Sequence, residues 1–85
     1  MNTIKEWLVI AFDSTHQALR AEMLLEYAEI EIDLFPTPKG ITAGCALSIQ
    51  FQKEDLANVV RIVKEETVEI RGIYRNEVHG YVTIE

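Results

Sequence analysis

Basic residues are scarce in this chain: eight Lys and Arg stand against fourteen Asp and Glu, for a net charge of −6. Nucleic-acid phosphates and anionic membranes are held by basic stripes, and the few cations here are scattered among acids, so both partners are ruled against. Glycine is sparse too. Its four residues form neither a GxGxxG nor a Walker loop, and no GxSxG occurs. No apolar run approaches the roughly 20 residues that span a bilayer, and the first residues show no basic segment followed by a long apolar stretch. Cysteine is the rarest of all. Cys45 stands alone, which excludes an intramolecular disulfide, and neither His16 nor His79 has a cysteine at zinc-binding spacing, so no metal or cofactor is expected. A single unpaired thiol fits a reducing compartment, and a cytosolic, cytoplasmic location is the expectation.

What remains is the composition of a folded domain. Of 85 residues, 48% are apolar and 26% charged, which supports one core over residues 1–85 but not a large enclosed active site. Trp7-Leu8-Val9-Ile10-Ala11-Phe12 is apolar at every position, as in a central strand packed on both faces. Ser14 is placed to cap a following helix, with Gln17 at the capping-box position, and Ala18, Ala21, Leu24, Leu25 and Ala28 recur at helical spacing as far as residue 28. Ile30, Ile32 and Leu34 alternate with Glu31 and Asp33, predicting a half-buried strand that Pro36 and Pro38 end.

Leu47, Ile49 and Phe51 give a third strand, and Leu56, Val59, Val60 and Val63 form the apolar face of a second helix whose first turn holds Glu54 and Asp55. A fourth strand is expected over residues 68–74, and Tyr81-Val82-Thr83-Ile84 offers an extra C-terminal strand. The order βαββαβ predicts an α+β fold: a two-layer ferredoxin-like sandwich with both helices on one face of an antiparallel sheet. The other face is then open, and the doubly apolar first strand predicts a covering partner there, such as a homodimer mate.

Chemistry converges on the segment around Cys45. A thiolate attacks electrophilic sulfur or selenium, and an unperturbed cysteine, with a pKa of about 8.5, already supplies a small fraction of it near neutrality. Lys39, by charge, and a backbone-amide nest around Gly40 and Gly44 would raise that fraction. Two readings of Cys45 stay open. It is a carrier thiol, or it is a small buried side chain, since it shares the odd register of Leu47, Ile49 and Phe51. The expected topology also sets the start of the third strand nearer the helix C-termini than their positive N-termini, where dipoles give a thiolate no help. Asp13, Ser14 and Thr15 present backbone amides at the first helix start, a candidate anion site, although capping by itself explains these residues.

The blocks Phe12-Asp13-Ser14-Thr15-His16-x-Ala18-Leu19-x-Ala21-Glu22-x-Leu24-Leu25, then Pro36-Thr37-Pro38-Lys39, then Gly44-Cys45-Ala46-Leu47 together resemble a small bacterial family described as selenium/sulfur carrier protein-like. With the closing Ile70-Arg71-Gly72-Ile73-Tyr74 the resemblance covers residues 7–74 and leaves 75–85 as an extension. It implies that Cys45 holds a persulfide or selenide equivalent for transfer between proteins. Lys39 assists electrostatically, Thr37, Gly44, Ser14 and Thr15 are binding residues, and segment 36–44 controls access. The implied partners are a cysteine desulfurase or other persulfide donor and an acceptor enzyme in selenium metabolism or thiolation. Such a protein is a carrier rather than a stand-alone enzyme. Lys39 stands where the family pattern has arginine and keeps the charge without the bidentate fork. Ala46 replaces a glycine and gives up backbone freedom beside the thiol. The rival reading is a non-catalytic small-molecule-binding or dimerisation module that works through the open sheet face, with Cys45 as packing.

Overall fold

A computed structural model describes residues 6–37, 47–77 and 80–84 of the chain. Seven main elements follow one another: β1 (Trp7–Phe12), α1 (Thr15–Tyr27), β2 (Ile32–Pro36), β3 (Leu47–Gln52), α2 (Leu56–Glu65), β4 (Gly72–Glu77) and β5 (Gly80–Thr83). The strands make one antiparallel sheet in the order β2-β3-β1-β4-β5, and the two helices pack on it and on each other, giving an α+β fold.

β1 is central because it alone is apolar on both sides. Its Ile10 pairs with Ile49 of β3 and with Ile73 of β4, so three β-branched side chains cross the sheet in one row. Leu8, Ile10, Phe12, Ile49, Phe51 and Ile73 face the helices and are essentially inaccessible. Ala18, Ala21 and Leu25 of α1 and Val59 and Val63 of α2 cover them. The two alanines in α1 let that helix approach the sheet closely. Ala28 does not join this face; it is the exposed C-cap.

Helix ends explain where the strands begin. Ser14 caps α1, its Oγ accepting from the Gln17 N–H at 3.3 Å. Gln17 leaves the capping box open and accepts the Glu69 N–H instead. Both helices close with the same Schellman pattern: Ile30 N–H donates to the Leu25 carbonyl and Val68 N–H to the Val63 carbonyl, each at 3.0 Å. The residues in the left-handed position are Glu29 (φ 63°) and Thr67 (φ 54°), where glycine is usual.

Three expectations shift accordingly. β4 starts at Gly72 rather than at residue 68, because Val68 is the buried apolar contact that closes α2 and Arg71 donates its N–H to the Ala11 carbonyl. Glu54 and Asp55 lie in a 3₁₀ turn, Lys53–Asp55, that precedes α2. The far face of the sheet is covered unevenly: Val9 is 5% and Ala11 0% exposed, whereas Trp7, on the same side of β1, is only half-buried. The extra strand is present as β5, with the Ile84 N–H continuing its ladder to the Ile73 carbonyl. Pro36 ends β2 on the sheet edge, where its missing N–H costs no ladder bond.

Candidate functional site

Cys45, Lys39 and Gly44 lie outside the described residues, as do Gly40, Ala46 and His79. The two stems that flank them are described. Pro36, at the end of β2, pairs with Leu47, at the start of β3. One residue beyond each, the hydroxyls of Thr37 and Ser48 meet at 2.7 Å. Ser48 is fully buried and Thr37 half-buried, so this bond satisfies a hydroxyl that would otherwise be shut away from water. Ser48 pairs with Ala11 on one side and Phe35 on the other, and it therefore points to the face away from the helices. Sequence reading singled out Thr37 and missed Ser48. The only signal for it is its register beside a residue as small as Ala11.

The electrostatic frame of this region differs from the expected one. Phe12 pairs with Leu47, so β3 begins level with the end of β1, and α1 starts at Thr15, three residues after Phe12. The start of β3 therefore shares an end of the sheet with the positive N-terminus of α1 and with the C-terminal end of α2, whose Glu66 carbonyl bonds Arg20, so the expectation of helix C-termini there holds for α2 and fails for α1. The reason is topological: β1 and β3 are antiparallel neighbours, and α1 springs from the end of β1. A helix N-terminus favours negative charge, by about 0.3–1 kcal/mol near the first turn.

Ser14 sits at that helix start and lines a cleft of about 110 Å³ with Asp13, Glu69 and Ile70. Two of its four lining residues are acids, a poor match to an anion. Asp13 is bonded to Arg71 at 2.9 Å, and the Ser14 hydroxyl accepts the capping bond described above. Thr15 opens the helix with an exposed side chain and does not line this cleft. The binding candidates are thus not gathered in one pocket. Thr37 engages the far face through Ser48, whereas Ser14 and Thr15 stand at the start of a helix on the opposite face. His16 is exposed, and among the described residues no cluster of three or more His, Cys, Asp or Glu side chains could hold a metal ion. Every buried side-chain polar atom among them has a hydrogen-bond partner.

Comparison with known families gives one finding: residues 7–75 match the family described as "Putative Se/S carrier protein-like". The match spans β1 through most of β4 and includes the segment that holds Cys45. No curated protein and no solved structure matches the chain.

Proposed function

Because the chain belongs to this Se/S carrier protein-like family, we propose that it carries sulfur or selenium on Cys45 between a donor and an acceptor protein. The observation that carries the reading is the family match itself, which takes in Cys45 together with both stems of its segment. In loading, the Cys45 thiolate attacks the outer sulfur of a donor persulfide. A new S–S bond forms, the donor's S–S bond breaks, and the departing donor thiolate takes up the proton that Cys45 released. In unloading, an acceptor thiolate attacks that same outer sulfur and Cys45 leaves as thiolate. Neither exchange involves net oxidation, and an outer selenium atom balances in the same way.

Lys39 supplies a positive charge that favours the attacking thiolate, and Gly44 a permissive backbone next to it. The N-terminus of α1, at the end of the sheet where β3 begins, acts in the same direction and the C-terminal end of α2, also at that end, against it. Thr37 acts through its bond to Ser48, which joins the stems on either side of the thiol segment. Ser14 and Thr15 contribute the helix start rather than a separate anion pocket. Donors of the required chemistry are cysteine desulfurases or other persulfide sources, and acceptors are enzymes of selenium metabolism or thiolation. We read the strand order β2-β3-β1-β4, with β5 added outside, as the ferredoxin-like arrangement; the order of elements and the placement of both helices on one face support it. A cytoplasmic setting suits an unpaired carrier thiol, and no described helix is long and apolar enough to cross a membrane.

The test is incubation with a cysteine desulfurase and free cysteine, followed by intact mass. The expected product is one added sulfur on the wild type, removable by reductant and absent from Cys45→Ser. A native thiol that alkylates as fast as the denatured control yet never acquires sulfur from such donors sinks the reading. A thiol protected from alkylation makes Cys45 a packing residue. The rival module, dimerising or binding a small molecule through the far sheet face, would use half-buried Trp7, Phe35 and Tyr74 rather than Val9 and Ala11, which are already buried there.

A further inference from the structure

The described residues include four large apolar side chains that are strongly exposed, and three of them lie on α1: Leu19 at 47%, Met23 at 64% and Tyr27 at 89%. Their spacing is i, i+4, i+8, so they form one stripe along the helix, opposite the face that Ala18, Ala21 and Leu25 bury. Scattered exposed apolar residues are ordinary, but an aligned row on one element is the geometry by which helices dock into apolar grooves. Charge around the stripe is one-sided. Residues 22–33 hold five carboxylates and no Lys, Arg or His, and Glu22, Glu26 and Glu29 flank the two most exposed members, Met23 and Tyr27. The nearest cation on the helix, Arg20, is engaged with Glu66 through a 2.7 Å bond to its carbonyl and an ion pair.

We propose that the outer face of α1 is a protein-docking surface for a partner that presents an apolar helix face flanked by Lys and Arg. Charge complementarity selects this occupant over the others. A second copy would bring two acid-rimmed patches together, and like charges across an interface are costly. An anionic membrane would repel the same rim. The proposal stands on α1 alone and does not depend on Cys45 carrying anything.

The experiment is an NMR amide-shift titration of the full chain with three helical peptides of equal length: Leu/Lys amphipathic, Leu/Glu amphipathic, and Ser/Lys without an apolar face. The Leu/Lys peptide is expected to bind saturably, with shifts concentrated in residues 16–29 and weakening as salt is raised. Its affinity should fall about tenfold in Met23→Ser/Tyr27→Ser and clearly in Glu26→Lys, which leaves the stripe intact. The proposal is overturned if the Leu/Lys peptide does not bind saturably, maps elsewhere, or binds the double variant as well as the wild type. Equal binding of either control peptide overturns it too, because charge or apolar area alone would then suffice. Shifts of residues 16–29 on raising the protein concentration alone would assign the stripe to a second copy and also overturn it.

Discussion

The two helices rest on the same sheet, share one core and end in the same Schellman pattern, yet their outward faces are unlike. α2 segregates: Val59 and Val63 point inward, while Ala57, Asn58, Arg61, Lys64 and Glu65 are exposed. α1 buries Ala18, Ala21 and Leu25 and also turns Leu19, Met23 and Tyr27 to solvent. The inner residues fix where each helix sits. An apolar outer row is not needed for that, as α2 demonstrates, so the row on α1 calls for a cause outside the fold.

The comparison breaks first on the inner faces. Leu25→Ala should cost about 2–5 kcal/mol, since it removes a side chain that is 1% exposed and leaves a cavity between α1 and the sheet. Val59→Ala, on the equivalent face of α2, should cost less because two carbons are removed rather than three. Urea denaturation read by circular dichroism measures both. If neither variant shifts the midpoint, the inner faces do not anchor the helices and the contrast with the outer row disappears.

Much of this arrangement was legible in the sequence, and the misses have specific causes. The unbroken apolar run of β1, the Ser14 cap and the alternation in β2 and β3 each rest on one local rule that tertiary packing reinforced. Val68 and Ile70 also alternate like a strand, but Val68 closes α2 instead, and no glycine marked that helix end because Thr67 takes the left-handed position. The outer row of α1 escaped notice because alanines and Leu25 already satisfied the helical pattern. At the site, Cys45, Lys39 and Gly44 lie outside the described residues. Thr37 was visible through its motif. Its partner Ser48 was not, because a serine between Leu47 and Ile49 reads as an ordinary outward polar residue, and only three-dimensional pairing brings the hydroxyls together.

The helix starts sharpen the comparison at smaller magnitude. The Ser14 hydroxyl accepts from the Gln17 N–H, so Ser14→Ala should cost about 1 kcal/mol. Asp55 precedes α2 without a side-chain capping bond, and only its charge near the helix start is lost in Asp55→Ala, about 0.3–1 kcal/mol. Added salt should therefore shrink the Asp55 effect and leave most of the Ser14 effect in place. Equal salt sensitivity in the two variants would mean that both helix starts act through charge.

The smallest effect carries the most information about α1. Met23→Ser and Tyr27→Ser remove side chains that are 64% and 89% exposed, so each should change stability by no more than about 0.5 kcal/mol in thermal or urea unfolding. Replacing these residues singly and then together tests whether the row contributes to the monomer at all. A joint loss well beyond the sum of the two would reveal an intramolecular contact that depends on both, and α1 would then resemble α2 in using its whole surface for folding. Near-zero values, with the helix intact by circular dichroism, would leave the row without a folding role. The exposed apolar area on α1 would then have to be explained by what binds it.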